Sequence, residues 1–142
     1  MVSCELVTGI TQTPLVGAYL HPSTLEHLPN LEEALKRFRE PIVLGDLNMD
    51  LDKARIPRSQ QVADLLAEYS LIDLVCHFCH RRRLRNLKTW SHVQQGTVLR
   101  SRWDYIIGTD RRRFKLVGIC NMRNFLSDQF ALRTWLLHIP TC

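Results

Sequence analysis

Apolar residues in this chain come in short runs of strand length, broken by polar turns and by two stretches with helical periodicity. Glu5 to Ile10 and Leu15 to Leu20 read as two strands joined by a turn at Thr11-Gln12-Thr13-Pro14. Ser23 and Glu26 stand at capping-box spacing for a short turn. Pro29 bars a long helix from running through it, so the first helix is expected to take Asn30 as N-cap, with Glu33 three residues on. Leu31, Ala34, Leu35 and Phe38 then form an apolar stripe, and Pro41 ends the helix. Ile42 to Leu47 follows as an apolar strand. Met49 to Pro57 is charged and reads as a loop. Ser59 can cap a second helix carrying Val62, Leu65, Leu66 and Tyr69 on one side. Ile72 to Phe78 is short and apolar, a strand by this reading, and the arginine-rich segment after it reads as irregular. Thr89-Trp90-Ser91 opens a strand leading through Gly96 into Ser101. Asp104 to Gly108, Phe114 to Cys120 and Phe130 to Ile139 complete the strands. Helices thus lie between strands, and strands outnumber them. The pattern predicts an α/β sandwich of two packed sheets with helices outside.

One strand ends in unusual chemistry. Ile42-Val43-Leu44-Gly45-Asp46-Leu47-Asn48 stops abruptly in Gly, Asp and Asn. Buried strands end this way where polar groups project from a sheet end. If the strand continues through Asn48, Asp46 and Asn48 share one face. A carboxylate beside a neutral amide suits metal-assisted phosphate chemistry. The same residue types form turns, and the stretch alone is equally a strand leaving into a turn.

Two later segments weigh on that choice. Ser101-Arg102-Trp103-Asp104-Tyr105 places a carboxylate at a strand start, and Ser127-Asp128-Gln129-Phe130-Ala131 is a polar step opening another strand. Gly-Asp-x-Asn, Ser-Arg-x-Asp-Tyr and Ser-Asp-x-x-Ala, in this order, resemble the endonuclease/exonuclease/phosphatase superfamily, in the flavour of non-LTR retrotransposon endonuclease domains. Tyr19-Leu20-His21-Pro22 is similar to its Tyr-x-x-Pro segment, and Leu71-Ile72-Asp73-Leu74 to its short segment after a helix. The resemblance runs from about Leu15 to the C-terminus. It implies the pancreatic-deoxyribonuclease-like fold and magnesium-dependent phosphodiester hydrolysis. Asp46 would orient or deprotonate the water, Asn48 would hold a phosphate oxygen, and Tyr19 would hydrogen-bond the phosphate. Asp128 would help hold the metal, and Asp104 would orient a histidine.

Two departures qualify that expectation. The family's histidine is Gln129 here, and Gln can neither take nor release a proton near neutral pH. The family also places an Asn and a metal-binding Glu well upstream of Tyr-x-x-Pro, whereas Glu5 is the sole acidic residue before Tyr19. The expectation is therefore a single unit over residues 1–142, the C-terminal portion of such a domain. Most of the first sheet would be missing and catalysis impaired or lost. An uncovered sheet face would favour self-association. A non-catalytic remnant that binds nucleic acid, or a protein-interaction module, is the alternative.

The 142 residues carry a formal net charge of +5, which draws polyanions. Arg81, Arg82, Arg83, Arg85 and Arg102 are the candidate nucleic-acid contacts, with DNA ahead of RNA as partner. No run is apolar enough to span a membrane and no secretory leader is visible, so an intracellular, potentially nuclear, chain is expected. Five scattered cysteines do not resemble a disulfide framework. Cys76-x-x-Cys79 could be half a zinc site, but no second pair follows, and small half-buried cysteines at a strand end fit better. Trp90, Trp103 and Trp135 read as core or sheet-face residues, and Met49 as packing.

Overall fold

The computed structural model describes residues 2–8, 11–51, 56–81, 90–109, 114–120 and 131–136, with side chains for 13–51, 56–77, 93–98 and 102–109. Strand β1 (Val2–Thr8) pairs antiparallel with β2 (Thr11–Tyr19), Thr8 facing Thr11. Residues 11–14 are therefore strand and not the expected turn. Helix α1 (Leu28–Arg37) begins two residues before the expected cap, with His27 at the N-cap. Pro29 falls in its first turn, where its missing N–H costs no helical hydrogen bond. Leu31 and Leu35 are buried and Ala34 and Phe38 pack partly against the core, so the expected stripe is the buried one. Strand β3 (Ile42–Asp46) then runs parallel to β2.

Helix α2 (Pro57–Glu68) also starts on a proline; Ile56 is its N-cap, and Ser59 is buried inside the first turn and is not the cap. Strand β4 (Ile72–Asp73) is only two residues long and passes into α3 (Leu74–Arg81), where a continuing strand was expected. The reason is local. The Asp73 carboxylate accepts the Cys76 N–H at 3.1 Å, an N-cap bond that starts the helix. Strands β5 (Trp90–Gln94) and β6 (Thr97–Ser101) form a hairpin whose turn residues, Gln95 and Gly96, have φ of 49° and 77°. Two positive φ values match the strand twist of a two-residue hairpin. Strand β7 (Asp104–Gly108) follows, and β8 (Phe114–Cys120) pairs antiparallel with β9 (Ala131–Leu136).

The main sheet has the order β1-β2-β3-β7-β4, with β7 antiparallel to both β3 and β4. Val16, Ala18, Val43, Tyr105 and Ile107 project from one face into a core shared with Leu31 and Leu35 of α1 and Val62, Leu65 and Leu66 of α2. The architecture is mixed α/β, as the alternation of elements predicts. Among the described residues no helix is long and apolar enough to cross a membrane.

Candidate functional site

The parallel strands β2 and β3 end side by side, with Tyr19 opposite Asp46. Asp104, the first residue of β7, stands opposite Asp46 on its other side. Tyr19, Asp46 and Asp104 therefore form one row across three strands, each step about 5 Å. Directly opposed residues share a sheet face. The helix-covered face holds Val43, Tyr105 and Ile107, so the row lies on the other face, with Leu44 and Ile106. Carboxyl ends of parallel strands are where open α/β sheets build their sites.

Asn48 joins this row by a different route from the one its spacing suggests. Strand β3 stops at Asp46, and Asn48 adopts a left-handed conformation with φ of 49°. The two residues therefore do not share a strand face. The Asn48 backbone N–H donates to Asp46 Oδ1 at 2.8 Å, and its Nδ2 donates to the Leu20 carbonyl at 2.8 Å. Leu20 N–H donates to the Asp46 carbonyl at 3.1 Å, and Leu47 N–H to the Trp103 carbonyl at 2.8 Å. The ends of three strands are thus laced together. Gly45 permits the lacing, since a Cβ there would sit 1.8 Å from the Ala18 carbonyl oxygen.

Two supporting residues escaped the sequence reading. The buried Tyr105 hydroxyl accepts Leu51 N–H at 2.8 Å and lies 3.1 Å from the Met49 carbonyl and 3.0 Å from that of Arg102. It pins the loop after Asn48, and burial pushes its pKa well above the ordinary value. Its signal was its place in the Ser-Arg-x-Asp-Tyr motif. The Arg58 guanidinium, at the start of α2, donates to the carbonyls of His21 and Pro22, to Thr24 at 3.3 Å and to Asn48 at 3.4 Å. One cation thereby ties the segment after Tyr19 to the segment after Asp46. Nothing in the sequence marks it.

Arg102 must be removed from the candidate nucleic-acid contacts. Its side chain is 1% exposed, pairs with Asp73 and lies over the Tyr105 ring with its carbon 4.8 Å from the centroid. A guanidinium so enclosed is structural, since it has no exposed surface to offer a phosphate and leaving its partner would strand a part-buried carboxylate. Arg81 lies in α3, its side chain outside the described set. Arg82, Arg83, Arg85, Asp128 and Gln129 lie outside the described residues. Cys76 is half-buried in the first turn of α3 and not at a strand end. Met49 is buried in the core, as expected. Among the described residues no group of three or more His, Cys, Asp or Glu could hold a metal ion.

A mixed α/β sheet with a tyrosine, two carboxylates and an amide gathered at adjoining strand ends defines a class of fold with a polar strand-end site. Among solved structures the fold is similar to those of endonuclease/exonuclease/phosphatase proteins. The chain is similar to the endonuclease domain of TRAS1, a telomere-specific non-LTR retrotransposon, at a TM-score of 0.73 and 18% identity, covering 99% of this chain and 64% of that one. It is similar to an endonuclease/exonuclease/phosphatase family protein from Leptotrichia buccalis at 0.67 and 14%, covering 96% and 53%. It is also similar to the 3′ phosphatase NExo from Neisseria bound to a product DNA hairpin, at 0.63 and 15%, covering 87% and 61%. The chain thus spans less than two thirds of each of these structures. No protein-family model matches the sequence, and a search of curated proteins finds no match.

Proposed function

We propose that this chain carries part of a phosphodiester-cleaving site for nucleic acid, DNA ahead of RNA, and that its catalysis is impaired. The observation that supports this reading is the single register row of Tyr19, Asp46 and Asp104, closed by Asn48. In it the Tyr19 phenol, exposed at the strand end, donates to a phosphate oxygen. The Asp46 carboxylate keeps one oxygen on the Asn48 amide and has a second with which to orient water. Asp104 adds negative charge across from it. Asn48 is less free than its motif implies, because one of its two side-chain N–H donors is engaged by the Leu20 carbonyl and only the other is left for a phosphate oxygen.

The described residues do not themselves assemble a magnesium site. No step of this reading passes through a metal, although Asp128 remains the residue proposed to contribute to one. Gln129 supplies an amide and not an acid–base group. Losing such a group costs roughly 100- to 10,000-fold in rate. A plasmid-nicking assay with magnesium and with EDTA tests the reading, alongside binding of labelled DNA in EDTA. Binding with little or no nicking supports it. Full magnesium-dependent nicking would refute the impairment, and absence of both binding and nicking would refute the site.

A further inference from the structure

We propose that His21 is a second phosphate-contacting group beside Tyr19, presenting Nε2 as a fixed hydrogen-bond donor; this deepens the phosphodiester reading and rests on it for the nature of the ligand. Burial alternates along the end of β2 and beyond it: Ala18 is buried, Tyr19 exposed, Leu20 buried and His21 exposed. The Leu20 N–H still bonds to the Asp46 carbonyl, so the pairing with β3 continues past the last strand residue. By period-two geometry His21 follows Tyr19 on the side of the Tyr19–Asp46–Asp104 row, about 7 Å further along the chain.

The ring is oriented by its own loop. Ser23 N–H donates to His21 Nδ1 at 3.1 Å, and the Ser23 hydroxyl lies 3.0 Å from the same atom. An accepting Nδ1 places the proton of the neutral ring on Nε2. The backbone beneath is held too, since Arg58 donates to the carbonyls of His21, Pro22 and Thr24. The result is an exposed N–H donor on a braced loop next to a phenol, with the Arg58 charge behind it. A phosphate oxygen is the acceptor this arrangement favours. His27 offers a built-in contrast. Its Nε2 lies 3.4 Å from the Glu26 carboxylate, which occupies the outer nitrogen and repels an anion.

The test is a titration of the whole chain with inorganic phosphate, followed through the imidazole nitrogen resonances, then metal-free binding of a short DNA duplex by His21→Ala and His21→Gln. Phosphate is expected to shift His21 Nε2 and leave His27 unmoved. His21→Ala should weaken DNA binding roughly 5- to 10-fold, while His21→Gln, whose amide still donates, stays within about twofold. A silent His21 resonance overturns the assignment, whatever DNA does. If phosphate moves His21 and the duplex does not bind, the assignment stands and the wider nucleic-acid reading fails.

Discussion

Asp46 and Asn48 form one closed unit, in which the carboxylate of the first accepts the backbone N–H of the second at 2.8 Å and holds it at φ of 49°. The bond needs an acceptor and not a charge. Asp46→Asn keeps an oxygen in place and should unfold within about 0.5 kcal/mol of the parent, whereas Asp46→Ala should lose about 1 kcal/mol. Urea unfolding of the two variants measures the difference. Both remove a negative charge from the proposed phosphate site, so metal-free DNA binding should tighten in both. Weaker binding in both would argue that no phosphate sits there.

Gly45 is the point where β2 and β3 come too close for any side chain. An alanine Cβ would meet the Ala18 carbonyl oxygen at 1.8 Å, and that oxygen is backbone in a paired strand. Gly45→Ala is expected to cost about 3 kcal/mol or more and to disturb the Tyr19–Asp46 register. Circular dichroism melts of parent and variant are the check. An unchanged melting temperature would mean the strands are not paired as described.

The Arg102–Asp73 pair separates structural from binding arginines. Arg102 is 1% exposed and Asp73 18%, so removing the arginine leaves a part-buried carboxylate unpaired, at about 3 kcal/mol, the low end for a buried pair. Arg102→Met should therefore be severely destabilised, and adding Asp73→Asn, which retains an oxygen for the Cys76 N–H, should restore part of the loss. Chemical denaturation of the two single variants and the double variant gives the coupling. If Arg102→Met unfolds like the parent, the pair contributes nothing and the burial argument fails.

Tyr105 makes the fold sensitive to alkali. Its folded pKa lies above the ordinary 10.0, chiefly because burial disfavours the phenolate. The folded state therefore holds this proton to a higher pH than the unfolded chain does. The stability it contributes is complete below pH 10.0 and is lost as pH rises through the folded pKa. Tyr105→Phe has no proton to lose. It should cost about 1–2 kcal/mol at neutral pH, because Leu51 loses its acceptor, and then decline less steeply above pH 10.0. Parallel alkaline profiles for the two proteins would remove Tyr105 from this role.

Period and punctuation made the sheet legible, because the short apolar runs from Ile42, Asp104, Phe114 and Phe130 each contain the observed strand, while the run from Leu15 overlaps a strand that begins four residues earlier, at Thr11. What misled was proline and Asp73. Pro29 read as a break and Pro57 as the end of a loop, yet both sit in the first turn of a helix, where proline fits. The apolar run after Ile72 became helix because an Asp73 side chain bonded the Cys76 amide, a choice that alternation cannot report. At the site, Asp46 and Asp104 were legible as carboxylates at strand ends. Their direct opposition was not, since register belongs to the pairing and not to either segment alone. Arg102 looked like one more basic residue, and its burial depended on Asp73 arriving from a segment 29 positions earlier (102 minus 73).

With Arg102 withdrawn, Arg81, Arg82, Arg83 and Arg85 are the arginines left to carry the proposed nucleic-acid contact. Each phosphate they neutralise on a duplex releases counterion, so binding should fall with salt at a log–log slope of about 0.9 per contact. Changing all four to glutamine is expected to flatten that slope by about 2 to 4, while leaving the melting temperature close to that of the parent. Arg102→Lys, in contrast, should lower the melting temperature, because a lysine cannot reproduce the planar stack on Tyr105, and leave the salt slope of the folded fraction alone. Fluorescence anisotropy across a salt series, run beside thermal melts of the same samples, resolves the two effects. A slope that follows Arg102 and ignores the four arginines would place the polyanion contact on the opposite set of residues from the one argued.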